Sequence, residues 1–195
     1  MKREKDIYTR IVARDNIRKA IIYASKRKKN RGNVKRVIDN IDDCVSYIEN
    51  LLKTKTYKPS PYQKVTIMDG VRKKERIIFK PRFFPDQCIH WALMLQLESI
   101  LSKGMYDYCC ASIKNRGILY GAKYLKKKLV QDRKNTKYCL KLDVKKFYPN
   151  IDKDILKRKF RRKIKDGDTL DLIDLIIDSS EEGVPIRKLY FTMVC

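Results

Sequence analysis

One stretch of the chain joins a carboxylate, an expected strand end and a turn: Leu140-Lys141-Leu142-Asp143-Val144-Lys145-Lys146-Phe147-Tyr148-Pro149-Asn150. Tyr138, Leu140, Leu142 and Val144 alternate with Cys139, Lys141 and Asp143. That is the period of a half-buried strand, with Asp143 expected near its C-terminal end. Phe147 to Asn150 turns the chain, and Asp152 is expected to cap the next helix. Magnesium is held by one or two carboxylates together with phosphate oxygens and waters, so a carboxylate on such a platform suits it. The matching chemistry is phosphoryl transfer, in which metals neutralise charge on the attacking and leaving oxygens. An Asp after a strand is also a common turn residue, and Asp143 alone does not establish a site.

The elements that would position this stretch are mixed, and the expected class is α+β. Asp15 is placed to cap a first helix with Ile17, Ile21, Ile22 and Ala24 near one face. After the Asn30-Arg31-Gly32 break, Val34, Val37, Ile38, Ile41, Val45, Ile48 and Leu52 form one apolar stripe of a second helix. Tyr62 to Ile67 and Val71 to Phe79 read as two strands around Asp69-Gly70, a strong hairpin signal. A helix is expected from about Asp86 to Lys103, with Asp86 as a plausible cap and Ile89, Leu93, Leu97, Ile100 and Leu101 inward. Asn115-Arg116-Gly117 reads as a loop leading into another helix. Ile155, Leu156, Phe160 and Ile164 mark one more, and the last spans about Asp168 to Asp178.

Composition narrows the partners. The 195 residues hold 47 Lys+Arg against 23 Asp+Glu, a net charge of +24, with 43% hydrophobic residues. That apolar share is enough for a core, and the charge excess calls for counterions that a nucleic acid supplies through its phosphates. A membrane surface also attracts such charge, and a compositional bias toward solvated lysines is the plain alternative. No apolar run approaches the roughly 18 residues of a membrane span, and Met1 to Arg10 has no signal-peptide character, so the expected location is cytoplasmic without membrane partners. The six cysteines form no Cys-x-x-Cys pair and His90 is the single histidine. A zinc site or a disulfide framework is therefore not expected.

The string Leu142-Asp143-Val144-Lys145-Lys146-Phe147-Tyr148-Pro149-Asn150-Ile151-Asp152 resembles motif A of reverse transcriptases, especially those of bacterial retroelements and group II introns. The resemblance implies that Asp143 ligates the catalytic Mg²⁺ ions, with the backbone carbonyl of Val144 assisting. It implies that Tyr148, five positions on, lies beneath the sugar of the incoming nucleotide. A flat ring there leaves no space for a 2′-hydroxyl and selects deoxynucleotides. Upstream, Asp69 to Leu93 resembles the fingers hairpin and following helix of the same enzymes, which places Arg76 against the incoming triphosphate with Lys73 and Lys74 beside it. A guanidinium fork suits phosphate oxygens. Cys109 to Leu125 resembles the loop and helix before motif A, which brings Arg116 and Gly117 close to nucleotide or template; glycine permits close backbone approach. Lys80 to Gln87 and Ile113 to Gly117 resemble diversity-generating retroelement enzymes more than retrons.

The implied architecture is right-hand polymerase fingers with the start of a ferredoxin-like palm, preceded by a helical pair. The expected boundaries are 1–56 for the N-terminal helical region, 57–135 for the fingers and 136–195 for a partial palm. The implied activity is RNA-directed DNA polymerisation with RNA template, DNA primer and deoxynucleoside triphosphate. Gly183 to Ile186 resembles the start of motif B, but the pattern is left at Arg187, and no Tyr-x-Asp-Asp follows. With its two-metal site incomplete, this chain is expected to be inactive by itself. The alternative is a non-catalytic, basic RNA-binding fragment.

Overall fold

The computed structural model describes residues 3–69, 74–110, 113, 115–145, 147 and 149–180. The chain is α+β: among the described residues there are eight α-helices and one antiparallel two-stranded sheet. The helices are α1 (Ile7–Val12), α2 (Arg14–Ser25), α3 (Gly32–Asp39), α4 (Ile41–Lys53), α5 (Cys88–Ser102), α6 (Ile118–Gln131), α7 (Lys153–Lys163) and α8 (Gly167–Asp178). Strands β1 (Gln63–Asp69) and β2 (Lys74–Lys80) lie between α4 and α5.

Helix α5 is the centre of the core. Nine of its fifteen residues are buried, from Cys88 and Ile89 to Ile100 and Leu101. A helix apolar on nearly every side needs neighbours around it, and α1 and α2 supply them. On α2, Ile17, Ala20, Ile21 and Ala24 fall at helical spacing and are buried, and the two alanines let the α5 backbone come near. Ile22, expected on that face, is 44% exposed. The contact has a polar clamp: buried Asn16 donates from Nδ2 to the Ile11 and Ala92 carbonyls, both at 3.0 Å, and accepts from Gln96 Nε2 at 2.7 Å.

The stripe from Val34 to Leu52 is divided between two helices rather than carried by one. Asn40 leaves helical geometry at φ −118°, ψ 43°, and its side-chain amide bonds back to the Arg36 carbonyl at 2.9 Å. Asp15 is not a cap; it lies in the first turn of α2, whose N-cap is Ala13. Asp86 does not cap α5 either. It is buried in a kinked helical turn, Phe83–Gln87, where it accepts from Tyr57 Oη at 2.8 Å and the Ser60 N–H at 3.2 Å. Tyr57 is buried, and its hydroxyl takes the Asp86 acceptor because water cannot reach it.

Helices α7 and α8 return to the same core through Leu156, Phe160, Ile164, Leu172, Ile173, Ile176 and Ile177. Asp166 joins them to α1: its carboxylate accepts the Ile7 and Tyr8 N–H groups, each at 2.7 Å, and caps α8 through Thr169 N at 3.4 Å. Two helix N-termini thus share one carboxylate, which satisfies their free N–H donors and faces both dipoles. Lys163 donates from Nζ to the Leu101 and Lys103 carbonyls at 2.9 Å, covering the C-terminal end of α5. No described helix is long and apolar enough to cross a membrane.

Candidate functional site

The two strands expected on either side of Asp69-Gly70 pair antiparallel, in the register Gln63↔Lys80, Val65↔Ile78, Ile67↔Arg76 and Asp69↔Lys74. Arg76 thus lies in mid-strand opposite Ile67, and Lys74 opens β2. The side chains of Lys74 and Arg76 and all of Lys73 lie outside what is described. Ile67 is 38%, Met68 64% and Ile77 51% exposed, so the hairpin stands out from the core on the sheet edges it shares with nothing else described.

Around Arg116 the chain builds a small tyrosine cluster. Asn115 takes the left-handed conformation at φ 66°. Gly117 is extended, and a Cβ there would meet nothing within 4 Å. Close packing inside the chain therefore does not require glycine at 117. Arg116 donates to the Tyr106 carbonyl at 3.4 Å, approaches Asp107 at 4.0 Å and lies 5.7 Å from the centre of the Tyr120 ring. Tyr108 stacks on Tyr124, with ring centres 3.2 Å apart. A hydrogen bond with Tyr106, together with partial desolvation, pushes the Tyr124 hydroxyl above its usual range. Helix α6 begins here and carries no buried residue.

Residues 137–144 are irregular rather than a strand. Tyr138 is 95%, Leu140 81%, Leu142 80% and Val144 64% exposed. Alternation specifies which face a strand would bury, but the hydrogen bonds of a strand come from a neighbour, and none of the described residues pairs with this stretch. Asp143 is exposed and forms no hydrogen bond or ion pair among the described residues. Tyr148 lies outside the described residues. After it, Asn150 N–H donates to the Phe147 carbonyl at 3.2 Å and Nδ2 to the Lys145 carbonyl at 3.3 Å, forming the expected turn. Asp152 caps α7 through Ile155 N at 2.9 Å, as its spacing implied. The neighbours Arg116 and Gly117 thus lie at the head of α6, while Asp143 stands without a partner among the described residues.

The residues named from the sequence leave out a concave basic surface at the foot of the hairpin. A cleft of 370 Å³ is lined by four cations, Lys28, Arg31, Lys80 and Arg82, with Phe83 and Phe84. The run from Lys26 to Arg31 is visible in the sequence as a basic face along which nucleic acid could lie. Its meeting with Lys80 and Arg82, some fifty positions away, has no local signal. No protein-family model matches the chain, and no curated protein matches it.

Proposed function

We propose that the chain is the fingers and first palm segment of an RNA-directed DNA polymerase of bacterial retroelement type, acting on RNA template, DNA primer and deoxynucleoside triphosphates in the cytoplasm. The observation that carries this reading is the motif Leu142 to Asp152, together with the exposed carboxylate of Asp143 within it, which has no partner among the described residues. Asp143 and the Val144 carbonyl are hard oxygen donors of the kind Mg²⁺ takes alongside phosphate oxygens. Bound there, the ion supplies charge neutralisation for phosphoryl transfer. In this reading Arg76 and Lys74 hold the triphosphate, Tyr148 excludes the 2′-hydroxyl, and Arg116 and Gly117 border the template. The charge of +24 supports a nucleic-acid partner of either kind.

A second reading, a basic RNA-binding module without catalysis, is favoured by the irregular backbone at 137–144, which gives Asp143 no rigid platform. Primer extension on an RNA template separates the two. The expected result is Mg²⁺-dependent extension, abolished by Asp143→Asn, in a form of the protein that also carries a second carboxylate motif. RNA binding with no Asp143-dependent extension in such a form establishes the second reading.

A further inference from the structure

The cleft at the foot of the hairpin is separate from every residue assigned above. It lies where the α2–α3 loop meets the first pair of the hairpin, Gln63↔Lys80, and the kinked turn before α5. Lys28 is held in place at its floor: Nζ donates to the Ala24 carbonyl at 3.2 Å and to Gln87 Oε1 at 2.7 Å. Gln87 is 1% exposed, and its Nε2 donates in turn to the Pro81 carbonyl at 2.7 Å. This buried amide joins the basic loop to the hairpin exit and fixes one ammonium 5.7 Å from the Phe83 ring. Arg31, Lys80 and Arg82 make no ion pair among the described residues, and no carboxylate lines the cleft. The side-chain amides of Asn33 and Gln63 also line it and have no hydrogen-bond partner among the described residues. A second basic cleft of 360 Å³, lined by Arg27, Lys28, Lys29, Asn30 and Arg31, adjoins the first and shares Lys28 and Arg31 with it.

Each feature selects part of a ligand. Unpaired guanidinium groups beside a fixed ammonium favour phosphate oxygens. The N-terminus of α3, whose N-cap residue Arg31 makes no side-chain cap hydrogen bond, begins at the same wall and adds N–H donors to that preference. Phe84 is partly buried, packed against the core with its ring centre 5.7 Å from that of Tyr47, and the part that lines the cleft gives a base an apolar contact; free amides suit the edge of a base. The cleft volume lies in the range of small-molecule sites. We propose that this cleft binds a nucleoside phosphate, with Arg31 and Arg82 on the phosphate, Lys28 completing the charge and Phe84 against the base. The ligand is either a free nucleotide or a residue of a single strand, and both present this chemistry.

The test is an anisotropy titration of the full chain with a short labelled single-stranded RNA, competed by AMP and, separately, by inorganic pyrophosphate. The double variant Arg31→Gln/Arg82→Gln is expected to weaken binding about tenfold or more and to lower the slope of log affinity against log salt by about two. Arg158→Gln/Arg162→Gln removes equal charge from exposed positions on α7 and is expected to stay within about twofold. Phe84→Leu keeps the apolar bulk and is expected to weaken RNA and AMP about tenfold while leaving pyrophosphate competition unchanged. Displacement of RNA by AMP identifies the free nucleotide as a ligand; RNA binding that requires the two arginines while AMP is silent identifies the strand. Equal losses from the two arginine pairs, or displacement of RNA by pyrophosphate at least as effective as a measurable displacement by AMP, overturn the site.

Discussion

Helices α5 and α6 are nearly equal in length, fifteen and fourteen residues, yet nine residues of the first are buried and none of the second. Both carry abundant apolar side chains. In α6, Ile118 is 90%, Leu119 78%, Leu125 56% and Val130 59% exposed, beside Lys123, Lys126, Lys127 and Lys128. The difference lies in their neighbours: α1, α2 and the kinked turn surround α5, whereas α6 meets a tyrosine cluster built from its own leading loop. Apolar pattern proposes burial, and only a facing surface grants it. The stability of the molecule therefore resides in the α1–α5 and α7–α8 core, whereas Gly117, Asp143 and Val144, singled out for chemistry, are exposed.

That contrast can be broken by mutation. The largest effect is expected from Phe160→Ala, which empties a fully buried ring position on α7. A loss of about 3–5 kcal/mol is expected in denaturant unfolding, and a loss below 1 kcal/mol would remove α7 from the core. Next comes Asn16→Ala, which strips the Ile11 and Ala92 carbonyls of their shared donor. Its expected cost is about 1–3 kcal/mol.

Asp166→Ala tests the shared cap and is expected to cost about 1–2 kcal/mol. Burial alone would raise the Asp166 pKa, but the N–H donors of Tyr8, Thr169 and Ile7 outweigh it, and the net shift is downward. A carboxylate lowered by folding stabilises the protein above its unfolded value of about 4, and that contribution fades as pH falls through the folded value. The wild-type protein should thus lose stability below about pH 4, and the variant should lose less over the same interval. An identical acid limb in the two proteins would assign the acid sensitivity to other groups. Least affected should be Leu140→Ala and Asp143→Asn, each within about 0.5 kcal/mol, because both side chains are solvated. Amide exchange sharpens the same point: α5 is expected to exchange slowest and residues 137–144 fastest.

Much of the scaffold was legible. The two strands, the helix from Cys88 to Ser102, the Asp152 cap and the final helix follow from periodicity and cap chemistry, while Gly70 of the expected Asp69-Gly70 turn lies outside the described residues and Asp69 ends β1. Misreadings arose where a side chain had a choice of partners. Asp86 sits after a proline as a cap would, yet Tyr57 and Ser60 take its carboxylate. Asn40 interrupts an apolar stripe that shows no defect in its spacing. Asp166 was not singled out, although an acid before Gly167 at a helix start was a usable cap signal.

The amino-acid order alone settles what depends on near neighbours: where most helices lie, the paired strands and the Asp152 cap. These rest on spacings of two to four residues, which the backbone geometry of a single element imposes. Tertiary structure decided the rest. It joined Lys28 and Gln87 across 59 positions, and Asp166 and Ile7 across 159. It buried α5, left α6 exposed, and placed the alternating residues 138–144 in solvent. Burial and long-range hydrogen bonding are properties of pairs of surfaces, and a sequence pattern describes one surface at a time.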